Sequence, residues 1–337
     1  MGPTLGKTGM SASSETRAGT TRIVVVGLGG VGLALLELLS ERKPSVSLTG
    51  VADSRGAIAS MLDPADVIDL KRAGPLPAEV ERSDLIKLAE PHVVVDVTSC
   101  DLGTAEPALS VILTAFEHGA HAVTANKAPL ARFWSDVQAA ATRAGKRIGY
   151  AAAAGAALPA VAVARSLRRA DGVTSFEGVL TGTTTFVLDQ MSEGASLEAA
   201  VASAQEQGVA EPDPSVDIGG WDTASKVVIL ANTLWGTGYT LDDVKVTGLV
   251  DTLQQVRGDR VARLVGRARP HPKGEGLEVA PLLLHRDHPL ARLRGREKGV
   301  VFYGPEIGHV LVSGGHSHPR GAAAAVLGDI LELAEKR

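Results

Sequence analysis

Arg22-Ile23-Val24-Val25-Val26-Gly27-Leu28-Gly29-Gly30-Val31-Gly32 is the stretch whose reading decides the fold. The β-branched run predicts a short buried strand. It ends in G-x-G-x-x-G, and the apolar spacing of Leu33, Leu35, Leu36, Leu38 and Leu39 then predicts a helix that closes before Pro44. In this strand–turn–helix setting Gly27 permits a tight turn, Gly29 lets backbone approach a pyrophosphate, and Gly32 allows close helix–strand packing. Gly30 and Val31 lie at the helix N-terminus, whose unpaired N–H groups and positive dipole end suit phosphate. A second predicted strand over 46–51 leads to Asp53, twenty-one residues past Gly32, where a carboxylate can accept from a ribose hydroxyl. Asp53 favours NAD. Ser54 and Arg55 follow it, and Arg55 with Lys71 or Arg72 could hold a 2′-phosphate, so NAD and NADP both stay open.

Working outward, strands over 93–97 and 121–124 alternate with helices over 109–118 and 130–144, the pattern of a Rossmann-like, doubly wound parallel sheet. Beyond residue 150 an Ala/Gly-rich passage leads into a helix ending near Arg169. A strand over 176–180, a mostly helical stretch over 185–207 and shorter strands over 241–312 follow, so a second α/β domain is expected. The expected division is a flexible tail over 1–20, a dinucleotide-binding domain over 21–150 and a substrate domain over 151–320. A C-terminal helix over 321–337 is apolar enough to dock back on the first domain.

The 337 residues are 45% hydrophobic and 21% charged, which fits a globular chain long enough for two cores. A net charge of −4 offers no basic surface for nucleic acid. No apolar run approaches the roughly 20 residues that span a bilayer. The Gly/Ser/Thr-rich N-terminus lacks the apolar core of a signal peptide, and the single Cys100 excludes a disulfide framework. A cytoplasmic location is expected.

Chemistry-bearing residues gather at predicted strand ends. Thr98 and Ser99 follow the third strand, and Asn126 and Lys127 follow the next, where doubly wound sheets bind ligands. Residues 211–226 read E-P-D-P-S-V-D-I-G-G-W-D-T-A-S-K. Pro212 and Pro214 predict an ordered loop, and Gly219-Gly220 punctuates it before a buried helix. Asp222 and Lys226 are four apart on one helical face. Taken alone, the segment reads as an exposed acidic loop with an ordinary ion pair.

Together, the glycine turn, T-A-N-K-A-P-L-A, G-T-T and A-E-P-D-P-x-x-D-x-x-G-x-D-x-x-x-K resemble the homoserine dehydrogenase family over nearly the whole chain. The resemblance implies NAD(P)-dependent interconversion of L-homoserine and L-aspartate 4-semialdehyde. It also implies a second domain with a mixed sheet used for substrate binding and dimerisation, hence a homodimer, and a short form without a C-terminal regulatory domain. Carried over by motif, Glu211 and Asp217 become substrate carboxylates, joined by Gly182 and Thr183 of G-T-T. By the same motif Asp222 is a further substrate carboxylate, and Lys127 and Lys226 are the two active-site lysines. Hydride reduction of an aldehyde creates an alkoxide, so Lys226 is expected to exchange the proton, oriented by Asp222, with Lys127 polarising the same oxygen; these three form the expected catalytic group. Asp213 has no role in this scheme.

Departures from the family pattern cluster around the site. Some relatives carry a glutamate before a V-G-x-G-L-P-like passage that binds a monovalent cation. Here residues 151–159 read AAAAGAALP, the carboxylate is absent, and no metal is expected. N-G-T-T-N has become Thr181-Gly182-Thr183-Thr184-Thr185, and a terminal G-x-G-A-G has become Gly314-Gly315-His316-Ser317-His318. Two alternatives stay open: a paralogue acting on another amino or hydroxy acid, and a catalytically silent nucleotide-binding protein.

Overall fold

The computed structural model describes residues 20–170, 172–250, 258–271, 276–315 and 318–335. The expected tail, apart from residue 20, lies outside these residues, as do His316, Ser317 and the last two residues of the expected C-terminal helix.

The first sheet is built from β1 (Thr21–Val26), β2 (Val46–Ala52), β3 (Ala57–Ile58), β4 (Val93–Asp96), β5 (His121–Thr124) and β6 (Ile148–Gly149). Its order is β3-β2-β1-β4-β5-β6, parallel throughout except for the two-residue edge strand β3. Val26 pairs with Asp96 and Asp96 with Thr124, so the carboxyl ends of β1, β4 and β5 stand side by side. The turns carrying Gly27, Thr98 and Asn126 therefore share one crevice. The connecting helices are α1 (Gly30–Arg42), α2 (Pro64–Ala73), α3 (Leu85–Ala89), α4 (Ala108–Glu117), α5 (Ala128–Arg132) and α6 (Trp134–Arg143). The single helix expected over 130–144 is thus two. Phe133, at φ −126° and ψ 33°, leaves helical geometry while its amide closes α5 on Pro129 O.

The Ala-rich passage forms a short helix, α7 (Ala151–Gly155), which leads into α8 (Ala160–Ala170). The second sheet comprises β7 (Ser175–Val179), β8 (Val244–Val246), β9 (Arg260–Ala268), β10 (Leu277–His285), β11 (Lys298–Gly304) and β12 (Gly308–Gly314). It runs β12-β11-β7-β9-β10-β8 and is antiparallel except where β10 meets β8. Helices α9 (Gly182–Ser192), α10 (Leu197–Glu206), α11 (Ser215–Ile218) and α12 (Trp221–Trp235) complete this half, with α9 and α12 packed on the sheet. The apolar run of α12 from Val227 to Ala231 is fully buried, as its position between the sheet and α8 requires.

Last comes α13 (Pro319–Glu335). Its Val326, Leu327, Ile330 and Leu333 share a core with Leu35, Leu36, Leu38 and Leu39 of α1, so the chain's end packs on the first sheet's helical layer. No helix among the described residues is long and apolar enough to cross a membrane.

Candidate active site

Gly27 adopts φ +106°, and a Cβ there would lie 2.5 Å from Val97 O, so no other residue fits the turn. A Cβ at Gly32 would lie 2.0 Å from Gly27 O. Beside Gly29, by contrast, a Cβ would meet no atom within 4 Å. The first turn of α1 carries no acidic side chain and no side-chain cap. Open space beside an uncompensated helix N-terminus fits a pyrophosphate.

Asp53 lies where β2 ends, as expected. Its Oδ1 accepts from the amides of Arg55 (2.7 Å) and Gly56 (3.0 Å), and its Oδ2 pairs with Lys71. Burial alone would raise this carboxyl, but the Lys71 hydrogen bond and the two amides outweigh it and leave it below its usual range. Of the two basic residues considered with Arg55, only Lys71 faces Asp53. Arg72 turns to Glu37 and Asp69. Arg55 and Ser54 are exposed.

The crevice floor is tied by polar side chains. Buried Asp96 accepts from the hydroxyls of Thr98 and Thr124, each at 2.6 Å. Buried Asn126 donates to Ser99 O at 3.0 Å and accepts from the Ala128 amide at 3.1 Å. Its amide group is thereby committed to joining the β4 and β5 turns, which sets Lys127 at the start of α5.

The two halves of the molecule meet at Asp222. In the first turn of α12, its Oδ1 lies 3.2 Å from Lys127 Nζ and its Oδ2 lies 2.6 Å from Lys226 Nζ. The i,i+4 pair read from the sequence is therefore a three-member bridge. Burial would raise the Asp222 carboxyl, but Lys226 and Lys127 outweigh it and hold the group well below the carboxylate range. Asp222 in turn holds the Lys127 ammonium well above its ordinary value against the pull of burial. Lys226 also donates to Leu180 O at 2.8 Å. Of its three N–H donors, one is left for another acceptor among the described residues.

Asp217 lies within electrostatic reach of this cluster. Burial and then Asp222 raise its carboxyl, opposed by the Thr183 hydroxyl and the two lysines. A carboxylate in such a setting gains from a further cation. Gly182 opens α9 against Arg296, whose backbone would lie 2.9 Å from any added Cβ. Glu211 is exposed, and among the described residues no hydrogen bond or ion pair joins its carboxylate to the cluster. The loop expected over 211–220 is partly helical: residues Ser215–Ile218 form α11, and just before it Asp213 Oδ1 accepts from the Ser215 amide at 3.0 Å.

Two participants were missed in the sequence. The Thr181 hydroxyl donates to Asp222 Oδ2 at 2.7 Å, filling the position of a replaced asparagine. Thr185, at the other replaced asparagine, bonds back to Thr181 O inside the helix. Lys298 at the start of β11 is 1% exposed and donates to Gly155 O at 2.8 Å. Only its isolation in an otherwise apolar strand hinted at it.

Comparison with known proteins matches this architecture in both halves. The family model described as homoserine dehydrogenase, NAD binding domain, matches residues 27–151, and the homoserine dehydrogenase model matches residues 159–331. The chain belongs to the homoserine dehydrogenase family. A homoserine dehydrogenase of Methanocaldococcus jannaschii is 33% identical over 92% of this chain and 98% of its own length. An NAD(+)-dependent homoserine dehydrogenase of Pseudomonas canavaninivorans is 31% identical over 93% of this chain and 96% of its own. The solved structure of a hyperthermophilic archaeal homoserine dehydrogenase in complex with NADPH superposes with a TM-score of 0.82 at 27% identity, covering 94% of this chain and 98% of its own. As a family member, the protein is an NAD(P)-dependent oxidoreductase acting on a CH–OH group. The Rossmann-like first half and the second α/β half with its mixed sheet follow the family's architecture.

Proposed function

We propose that the protein interconverts L-homoserine and L-aspartate 4-semialdehyde, with Lys226 exchanging the proton and Lys127 and Asp222 completing the catalytic group. The observation that carries this reading is the Lys127–Asp222–Lys226 bridge, which joins the crevice of the first sheet to the helix packed on the second.

Gly27, Gly29, Gly30, Val31 and Gly32 would hold the dinucleotide's pyrophosphate, and Asp53, Ser54 and Arg55 would face the adenosine ribose. Thr98, Ser99 and Asn126 would line the crevice toward the nicotinamide. When bound, the cofactor supplies or accepts the hydride. The uncommitted N–H of Lys226 donates to the carbonyl oxygen of the aldehyde and transfers its proton as that oxygen becomes a hydroxyl; in the oxidative direction the neutral amine takes the proton back. Lys127, held protonated by Asp222, is a standing positive charge that stabilises the developing oxyanion. Asp222 fixes both ammonium groups, and Thr181 restrains the carboxylate. Asp217 and Glu211 accept from the substrate α-ammonium through charge-assisted hydrogen bonds, with Gly182 and Thr183 shaping the approach.

The functional division would follow the two sheets, with residues 21–150 and the docked C-terminal helix serving the cofactor and 151–320 the substrate. Homodimerisation through the second sheet and a cytoplasmic location follow from the family resemblance. The test is reduction of NAD or NADP by purified protein with L-homoserine, beside a panel of other amino and hydroxy acids. Turnover of homoserine above the panel supports the proposal. Turnover of another compound alone, or cofactor binding without turnover, contradicts it.

A further inference from the structure

Helix α7 is held at both ends by charged side chains from distant parts of the chain. At its start, the Ala151 amide donates to Asp329 Oδ2 of α13 at 2.7 Å. At its end, Gly155 O accepts from Lys298 Nζ of β11 at 2.8 Å. Each charge has the sign that the helix terminus favours. After Gly155 the chain turns sharply through Ala156, a non-glycine residue at φ +51°. Gly315, just past β12, approaches this turn so closely that a Cβ there would lie 2.9 Å from Leu158 N. Lys298 pairs with Gly314, so the start of β11 and the end of β12 lie at the same end of the pair, and that end presses on residues 155–158. Helix α7 in turn packs against α12, which carries Asp222 and Lys226, and against β5, which leads to Lys127.

By the family resemblance, this passage corresponds to the one that binds a monovalent cation in some relatives. The residues present here do not fit such an ion. The carboxylate position is Ala151, and the Gly155 carbonyl is already engaged by an ammonium. A metal cation seated there would lose an acceptor and face a like charge.

We propose that Lys298 is a positioning residue whose ammonium acts as a tethered cation at the end of α7, replacing a bound monovalent ion and fixing the wall of the active site. Its burial supports this, because a charged lysine excluded from water is retained only with dedicated acceptors. Burial and then Lys226 draw its ammonium down to about 8, with Asp222 opposing and Lys127 adding to the fall. The group thus feels the catalytic cluster and is still mainly charged at neutral pH. The inference rests on the bridged Asp222 site being the catalytic one.

The experiment compares wild type and Lys298→Met in buffers containing choline, sodium or potassium chloride at equal ionic strength, reading both melting temperature and kcat. For the wild type, neither quantity should change when sodium or potassium replaces choline. Lys298→Met should lose roughly 10-fold in kcat, the scale of a lost supporting contact. Sodium or potassium should then raise its melting temperature and restore part of the rate. Specific stabilisation or activation of the wild type by either metal ion overturns the proposal. So does a folded Lys298→Met protein with unchanged kcat, or one whose loss no cation repairs. If the variant does not fold, the wild-type comparison still decides. The melting readout needs no turnover, so a failed homoserine assay would count against the proposed reaction and leave the cation question separately answered.

Discussion

Each oxygen of Asp222 faces a different lysine, Oδ1 toward Lys127 at 3.2 Å and Oδ2 toward Lys226 at 2.6 Å. Replacing it by asparagine removes the negative charge that bridges two nearby ammonium groups. Breaking a buried pair in this way costs about 3–5 kcal/mol, so Asp222→Asn should unfold at markedly lower urea concentration at pH 7. Because the folded-state carboxyl is held below its ordinary value, this stabilisation is present above the unfolded pKa and lost as pH falls toward the folded one. The gap between wild type and variant should therefore narrow below about pH 4; equal stability at pH 7 would rule the bridge out as a stabilising element. At the other end of the crevice, Lys71 partly neutralises Asp53, which suits the site to a 2′-phosphate as well as a ribose hydroxyl. Lys71→Ala should raise KM for NADP by roughly 10-fold, on the order of one lost ionic contact, while changing KM for NAD little. Equal effects on both cofactors would refute that assignment.

Among the elements, β1 and α1 were legible because the glycine spacing and the leucine periodicity specify one local geometry. In contrast, α7 was not: five small residues carry no periodic signal, and what holds them is Asp329 and Lys298, 178 and 143 positions away in sequence. The break at Phe133 was missed because no proline or glycine marks it in the sequence. Asp329 also yields a prediction. Burial raises its carboxyl to about 6, so the folded state binds its proton more tightly than the unfolded chain. Ionised Asp329 then costs stability, increasingly as pH rises from about 4 to 6, by up to about 3 kcal/mol. Asparagine keeps an acceptor for the Ala151 amide without the charge. Asp329→Asn should therefore be at least as stable as wild type at pH 7.5, with its advantage vanishing below pH 4 in thermal melts; a clear loss of stability at pH 7.5 would contradict this.

At the scale of the molecule, the site exists only where the two halves meet. The residue types of the clamp could be named from the acidic-loop motif, but the contact between Lys127 and Asp222 spans 95 positions and no local pattern reports it. Thr181 was legible only as a replaced asparagine and Lys298 was not picked out at all, because each works through a partner far away in the chain. A protein assembled in this way should bind its dinucleotide before the substrate half is needed, and cofactor alone should raise its melting temperature through linkage. The second sheet should supply a dimer contact, and light scattering at a single-chain mass across a wide concentration range would count against it. The most direct test of the central claim is the pH dependence of kcat for homoserine oxidation in wild type, Lys226→Ala and Lys127→Ala. Both variants should lose about 10²–10⁴-fold in rate, but only Lys226→Ala should lose the ionisation that governs proton removal in the wild-type profile. A Lys226→Ala profile of the same shape as wild type would contradict the assignment of proton transfer to Lys226.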